Sequence, residues 1–261
     1  MSRIVIKFGT GVLSHSEGRA LDRDQFRRFA AEISLLFQAG HSCIVVSSAA
    51  IAAGVHTLGL DQRPRDLPSK QACAAVGQPK LMSLYAVAFK RHGLVVAQLL
   101  LTHDDIDSRM RRKNAFNTIE CLLKARNTVP IINENDTVAV EELRFGDNDR
   151  LSAEVAELVN ANILLFLTSS DGLTDSDGKR IAKVEKVAEV LGHVRSEMGE
   201  FSVGGMRTKL QAIEYALSHG IPAFILDGRK PGQISAALEG RDVGTRFSIT
   251  AARAAKEKTP I

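Results

Sequence analysis

The chain has 261 residues, 44% hydrophobic and 25% charged, with a net charge of +4 and an isoelectric point near 9.0. This is globular composition with enough apolar material for one large α/β domain or two small lobes, and it excludes a disordered chain. The mild basic excess suits anionic small molecules, whereas the lack of Trp and the presence of only two Tyr deprive the sequence of interleaved base-stacking aromatics, so nucleic acid is not an expected partner.

Cys43, Cys73 and Cys121 are odd in number and far apart, and the seven His residues are scattered, so neither a disulfide framework nor a His or Cys metal site is suggested. Arg3 and Lys7 interrupt the first apolar run, and no apolar stretch reaches the roughly 18 residues of a membrane span. The expectation is a cytoplasmic protein with no membrane partner.

Ile4-Val5-Ile6 reads as a short buried strand ending in the glycine-rich turn Lys7-Phe8-Gly9-Thr10-Gly11. Asp22 is a good N-cap for a helix carrying Phe26, Phe29, Ile33 and Leu36 at helical spacing and closed by Gly40. Cys43 to Val46 is the next strand, followed by Ser47-Ser48-Ala49-Ala50 and another helical segment, which completes a βαβ unit and predicts a parallel sheet. The rhythm continues with a helix around Leu81 to Phe89, a strand over Val95 to Leu101, a helix over Asn117 to Lys124 and a strand over Val129 to Ile132. A helix over Ser152 to Val159, a strand over Ile163 to Leu167, a polar loop or hairpin over Asp175 to Lys186, a helix over Met206 to Ser218 and a strand over Ala223 to Leu226 follow. Apolar runs of this kind, alternating with amphipathic helices, imply a three-layer αβα sandwich on a mainly parallel sheet.

Each polar cluster follows a strand: Lys7 to Gly11, Ser47-Ser48, Asn133-Glu134-Asn135-Asp136, Thr168 to Asp171 and Asp227-Gly228. Ligands of open α/β sheets bind beyond the carboxyl ends of the strands, so the topology gathers these clusters at one edge. Taken alone, the Asn133 to Asp136 and Gly146-Asp147-Asn148-Asp149 stretches are also ordinary loop formers.

Known fingerprints fail. Gly9-x-Gly11 has Ser at position 14 and lacks the third glycine of a dinucleotide site, while Gly172 to Lys179 has one residue too many for a phosphate-binding loop, with Arg180 where Ser or Thr must stand. No Gly-x-Ser-x-Gly elbow is present. What remains is a lysine at the end of the first strand, small hydroxyl residues after the second, and Gly204-Gly205-Met206-x-Thr208-Lys209 opening a late helix. Backbone amides at such a helix start suit phosphate, and Lys7 and Lys209 could flank a transferring phosphoryl group. Each lysine alone is equally a solvated surface charge.

These residues resemble the glutamate 5-kinases of the amino-acid kinase superfamily. The resemblance rests on Lys7-Phe8-Gly9-Thr10, Ser48-x-x-Ile51-Ala52-Ala53-Gly54, Ser69-Lys70-Gln71 with Ala74-Ala75-Val76-Gly77-Gln78, Leu100-Leu101-Thr102, the two Asn/Asp stretches, Gly204 to Leu210, Lys230-Pro231-Gly232 and Val243 to Phe247. It implies the amino-acid kinase fold over residues 1–250, with a substrate-binding lobe to about residue 162, a nucleotide-binding lobe over 163–250, and a tail over 251–261. It further implies transfer of phosphate from ATP, with Mg2+, to the γ-carboxylate of L-glutamate, a step toward proline.

By position, the resemblance makes Lys7, Lys209 and Asp149 catalytic and gives Ser48, Asp136 and Asn148 to glutamate. It gives Lys7, Thr168, Ser169, Gly204, Gly205, Met206, Arg207, Thr208 and Lys209 to the nucleotide, and no residue to a metal. It also suggests a homo-oligomer inhibited by proline and, since the chain ends soon after the kinase fold, no C-terminal PUA domain. Three positions depart from the family pattern: Ala49 for a glycine, Ser169 for an aspartate and Thr174 for a tyrosine. The alternatives are a sister kinase acting on another small acid and a non-catalytic amino-acid or nucleotide sensor.

Overall fold

The computed structural model describes residues 1–15, 20–139, 147–194 and 203–249. In chain order the elements are β1 (Arg3–Phe8), α1 (Thr10–Leu13), α2 (Arg23–Gln38), β2 (Ser42–Val46), α3 (Ala50–Thr57), α4 (Leu67–Lys90), β3 (Val95–Leu101), α5 (His103–Asp107) and α6 (Arg109–Lys124). They continue with β4 (Thr128–Glu134), α7 (Asp147–Leu158), β5 (Ile163–Thr168), β6 (Lys183–Val184), α8 (Val187–Val194), α9 (Val203–Ser218), β7 (Ala223–Asp227), α10 (Gln233–Leu238) and β8 (Thr245–Phe247).

The apolar runs become the inner strands because both of their faces are covered. Ile4, Val5 and Ile6 of β1 and Ile44, Val45 and Val46 of β2 are fully buried, as strands of a doubly covered parallel sheet must be. The strand order is β3-β4-β2-β1-β5-β7-β8-β6, parallel from β3 through β7, with β8 antiparallel to β7 and β6 parallel to β8. One face is packed by α1, α2, α3, α4 and α10 through Phe26, Phe29, Tyr85 and Phe89, the other by α5 through α9 through Ile119, Val155, Leu210 and Ile213. This is the three-layer αβα sandwich expected from the sequence.

Strand β1 lies between β2 and β5, so the order turns outward in both directions from it. Such a switch point opens a crevice beyond the carboxyl ends of the strands. Lys7 stands there, in register with Val46 on one side and Phe166 on the other.

Several boundaries differ from the sequence reading. Helix α4 starts at Leu67, well before Leu81, and continues through Pro79. Helix α6 begins at Arg109, ahead of the expected Asn117, with Ser108 as its N-cap; the intervening Arg109 to Lys113 stretch is too polar to show a helical period. Helix α7 begins at Asp147 rather than near Ser152, so Asn148 and Asp149 are helical residues. The short strands β6 and β8 and the single-turn helix α5 are additions to the elements expected from the sequence. Gly146 and the tail over 251–261 lie outside the described residues.

Helices α3 and α4 approach unusually closely. A Cβ on Gly54 would lie 1.8 Å from the Cys73 carbonyl oxygen, and one on Gly77 would lie 1.8 Å from the Ala50 carbonyl oxygen. Both motif glycines are therefore required by packing, and together they fix the start of α3 at the crevice.

Candidate active site

The centre of the site is a buried carboxylate between two ammonium groups. Asp149, in the first turn of α7 and 1% exposed, lies with Oδ1 2.5 Å from Lys7 Nζ at the end of β1 and with Oδ2 3.2 Å from Lys209 Nζ on α9. Thr208 Oγ1 donates to the same Oδ2 at 3.1 Å. Lys209 lies back along its own helix, its Nζ donating to the Gly205 carbonyl at 2.9 Å, the direction in which long helical side chains point.

Burial alone would raise the Asp149 pKa, but the charges of Lys7 and Lys209 and their hydrogen bonds outweigh it and hold the carboxyl below its ordinary value. Lys209 is shifted down chiefly by burial, with Lys7 adding repulsion and Asp149 opposing both. The carboxylate thus lies between the two cations, bonded to both, and at Lys209 it opposes the effects of burial and of the neighbouring lysine.

Around this centre is a cleft of about 390 Å³. Its walls include Ser48 and Ala49 after β2, Glu134 at the end of β4 and Asp136 just beyond it, Asn148 of α7, Thr168 at the end of β5 and Ser169 after it, and Gly205 of α9. The gathering of clusters at one sheet edge is therefore observed. Ser48 is buried, Asp136 half-buried, and the Asn148 carboxamide oxygen accepts from the Glu134 N–H at 3.3 Å, tying the two Asn/Asp stretches together. Asn133 donates to Gln78 of α4 at 2.9 Å, which braces the end of β4 from below.

Thr168 Oγ1 accepts from the Ser170 N–H at 3.2 Å and so shapes the turn after β5. Ser169 faces the glycine turn, where a Cβ on Gly11 would lie 3.7 Å from its Oγ. Of the remaining expected nucleotide residues, Gly204 stands in the first turn of α9, Met206 packs against the core, Arg207 is exposed, and Thr208 is turned to Asp149; the cleft wall in this region is formed by Gly205 and Lys209.

Sequence reasoning missed one lining residue, and the structure adds detail to the glycine turn and to Ala49, both of which the sequence singles out. Arg63, in the α3–α4 connection, lines the cleft, and no periodic or motif signal marks it. Thr10 and Gly9 enter the wall because α1 is a single turn directly after β1. Ala49 adopts φ +81°, the left-handed region that disfavours a side chain.

The amino acid kinase family model matches residues 2–227. The glutamate 5-kinase of Myxococcus xanthus (strain DK1622) is 46% identical over 258 residues, covering 96% of this chain and 68% of that protein. A glutamate 5-kinase of Thermus thermophilus is 45% identical over 251 residues, covering 94% of this chain and 67% of that protein. That of Desulfitobacterium hafniense (strain Y51) is 45% identical over 260 residues, covering 97% and 70%. The chain therefore spans about two thirds of the length of these relatives.

Among solved structures, N-acetylglutamate synthase from Neisseria gonorrhoeae superposes with TM-scores of 0.66 and 0.71 in two complexes, at 17% and 19% identity. These matches cover 96% of this chain and 62% and 60% of those chains, and they bear on the fold alone. Sequence match, relatives and sheet topology agree: this chain belongs to the amino acid kinase family, and within it to the glutamate 5-kinases.

Proposed function

We propose that the cleft transfers the γ-phosphoryl group of ATP to the γ-carboxylate of L-glutamate, giving L-glutamyl 5-phosphate and ADP. The observation that carries this reading is the Lys7–Asp149–Lys209 arrangement at the switch point of the sheet. A γ-carboxylate oxygen of glutamate forms a bond to the γ-phosphorus as the bond to the β,γ-bridging oxygen breaks. The attacking carboxylate is already ionised at neutral pH, so no general base is needed. What is needed is positioning and charge neutralisation at the equatorial oxygens, which the ammonium groups of Lys7 and Lys209 supply.

In this reading Ser48, Asp136 and Asn148 hold glutamate, with Asp136 placed for the substrate ammonium. Lys7, Thr168, Ser169 and the start of α9 from Gly204 to Lys209 serve the nucleotide. Residues to about 162 form the acceptor half and residues 163–250 the nucleotide half, the boundary falling just before β5. Among the described residues no group of three His, Cys, Asp or Glu side chains gathers to hold a metal ion. Mg2+ enters with the nucleotide substrate, whose phosphates supply most of its ligands. A cytoplasmic location, proline as a feedback inhibitor and assembly into a homo-oligomer belong to the same reading. No helix among the described residues is long and apolar enough to cross a membrane.

A coupled ADP-release assay over a panel of small amino acids and diacids tests the reading. ADP release that depends on glutamate, together with loss of turnover in Lys7→Ala and Lys209→Ala at nearly unchanged glutamate affinity, supports it, because those charges act mainly in the transition state. Release with another acid in place of glutamate identifies a sister kinase. ATP or glutamate binding without turnover identifies a sensor.

A further inference from the structure

Beside the Lys7–Asp149–Lys209 centre, the described residues hold a second buried group of charges that the proposed chemistry does not use. His103 opens α5 directly beyond the end of β3 and is buried, with its Nδ1 2.8 Å from Glu154 Oε2 on α7. Glu154 Oε1 in turn accepts from Arg150 Nε at 2.7 Å, one turn back along the same helix. The third member is Glu134, the last residue of β4, also buried, whose charge favours the protonated imidazole. Leu101 of β3 is in register with Glu134, which brings the start of α5 beside the end of β4.

These residues join the elements that carry the acceptor end of the cleft. Glu134 lines the cleft, and its N–H donates at 3.3 Å to the carboxamide oxygen of Asn148 in the first turn of α7. An imidazolium facing both carboxylates draws α7 toward the end of β4, whereas a neutral imidazole leaves two buried carboxylates that repel each other in a low dielectric. Burial alone would lower the His103 pKa, but the hydrogen bond and charge of Glu154, joined by the charge of Glu134, outweigh both burial and Arg150 and hold it above the ordinary histidine value. Other nearby charges are engaged elsewhere or face solvent: Asp105 pairs with Arg111 at 3.0 Å, Arg112 of α6 pairs with Glu157 of α7, and Asp104 and Asp107 are exposed. Tyr215 of α9, whose pKa is raised by burial and by the charges of Glu157 and Glu154, stays neutral over the range in which a histidine titrates.

We infer that protonated His103 is a positioning residue for acceptor binding: by facing Glu154 and Glu134 together, it keeps the first turn of α7 against the end of β4 and so holds Asn148 at the glutamate site. The inference rests on the function proposed above. His103 does not line the cleft, so it acts only through the residues it aligns. Asp149, next to Asn148, is held independently by Lys7 and Lys209. Loss of the His103 charge is therefore read in the glutamate KM and much less in kcat. The protonated form is the positioning one, so KM is low below the His103 pKa and rises as pH passes upward through it.

The experiment measures glutamate KM and kcat from about pH 6 to 9 in the wild-type enzyme, His103→Gln and Glu154→Gln. In the wild type, KM is expected to rise about tenfold, the lower end of what loss of an orienting partner does at metal sites, without a matching step in kcat. The step falls at lower pH than the titration of the ammonium of free glutamate. His103→Gln keeps a donor for Glu154 but no charge, so it is expected to show the high KM already at the acid end and to lack the step. Glu154→Gln removes the main group favouring the proton, and its step is expected at lower pH. A wild-type KM that changes only with the substrate ammonium overturns the inference, and that measurement needs no variant to fold. A wild-type step that persists in His103→Gln, or stays in place in Glu154→Gln, overturns it as well. So does a lowered melting temperature in His103→Gln with KM and its pH profile unchanged, which would make the pair purely structural. Equal falls in kcat and kcat/KM overturn it too, since they mark a loss at the reacting centre. Glutamate-dependent ADP release by the wild-type enzyme at saturating glutamate measures the proposed function separately. If another acid proves to be the acceptor, that function falls, and the pH profile of KM for that acid decides the role of His103.

Discussion

Asp149 touches three side chains that belong to two different elements, and its substitution separates chemistry from folding. Asp149→Asn keeps the shape but removes the charge that offsets repulsion between Lys7 and Lys209. The single-turnover rate is expected to fall roughly 10- to 100-fold, the range seen when outer-shell partners of metal sites are lost, with substrate binding retained. Since Asp149 is inside α7 rather than at its cap, a drop in melting temperature with an unchanged rate would contradict the organising role. The variant also carries a pH signature. Lys209 is charged below its pKa, which burial already depresses and Asp149 partly restores, so in Asp149→Asn the alkaline limb of kcat is expected to move to lower pH. On the acid side the wild-type carboxylate, with its lowered pKa, contributes stability above the unfolded aspartate value of about 3.9 and loses it as pH falls through the folded value. Asp136→Asn acts elsewhere: it is expected to weaken glutamate binding by about 1.5–3 kcal/mol, the worth of a hydrogen bond to a charged group. Calorimetry should find binding of a non-hydrolysable ATP analogue largely intact, and equal losses for both ligands would refute the assignment.

At the level of elements, the glycines between α3 and α4 make the sharpest test. Gly77→Ala places a carbon where the Ala50 carbonyl stands, and with no flexible side chain to yield, the helices must separate. Overpacking of this kind typically costs about 1–3 kcal/mol, measurable as a lower denaturation midpoint, and a shifted α3 should raise the glutamate KM as well. In the sequence these glycines belonged to a motif whose purpose was not visible; the structure gives it a mechanical one. The inner strands were legible because β1, β2, β4, β5 and β7 each hold a stretch of at least three consecutive apolar residues, and α2 because Asp22 caps a clean helical period. Its Oδ1 accepts from the Asp24 and Gln25 N–H groups, as the residue type suggested. The front half of α4 was hidden by Pro79, a residue that usually ends a helix. Strands β6 and β8, of two and three residues, are too short for any alternation to register. Asn148 and Asp149 were read as loop because Asn, Asp and Gly favour turns, whereas here they occupy the first turn of α7, where acidic side chains meet the positive end of the helix. Lys7, Lys209 and Asp149 were singled out from sequence, but their shared contact was not deducible from it, since spacing along the chain does not specify which oxygen faces which ammonium.

Over the whole molecule, two packed faces enclose one sheet, and the thiols report on that enclosure. Cys43 and Cys73 are buried, with burial pushing both thiol pKa values up, whereas Cys121 is exposed. A chromogenic disulfide reagent is expected to titrate one thiol in the native protein and all three in denaturant; rapid reaction of a second would mean that the α2–α4 face opens readily. The site also depends on the whole chain. Lys7 is supplied by the first strand, Asp149 by a helix past the middle, and Lys209 joins that carboxylate from 60 positions further on. No local segment contains the three, so they meet only after the long-range strand pairings that limit folding speed. Recovery of catalysis during refolding should therefore lag behind recovery of helical circular dichroism, which forms from neighbouring residues. The carboxylate that aligns two lysines for phosphoryl transfer is, on the folding pathway, a timer: turnover begins only when the last distant part of the chain has arrived.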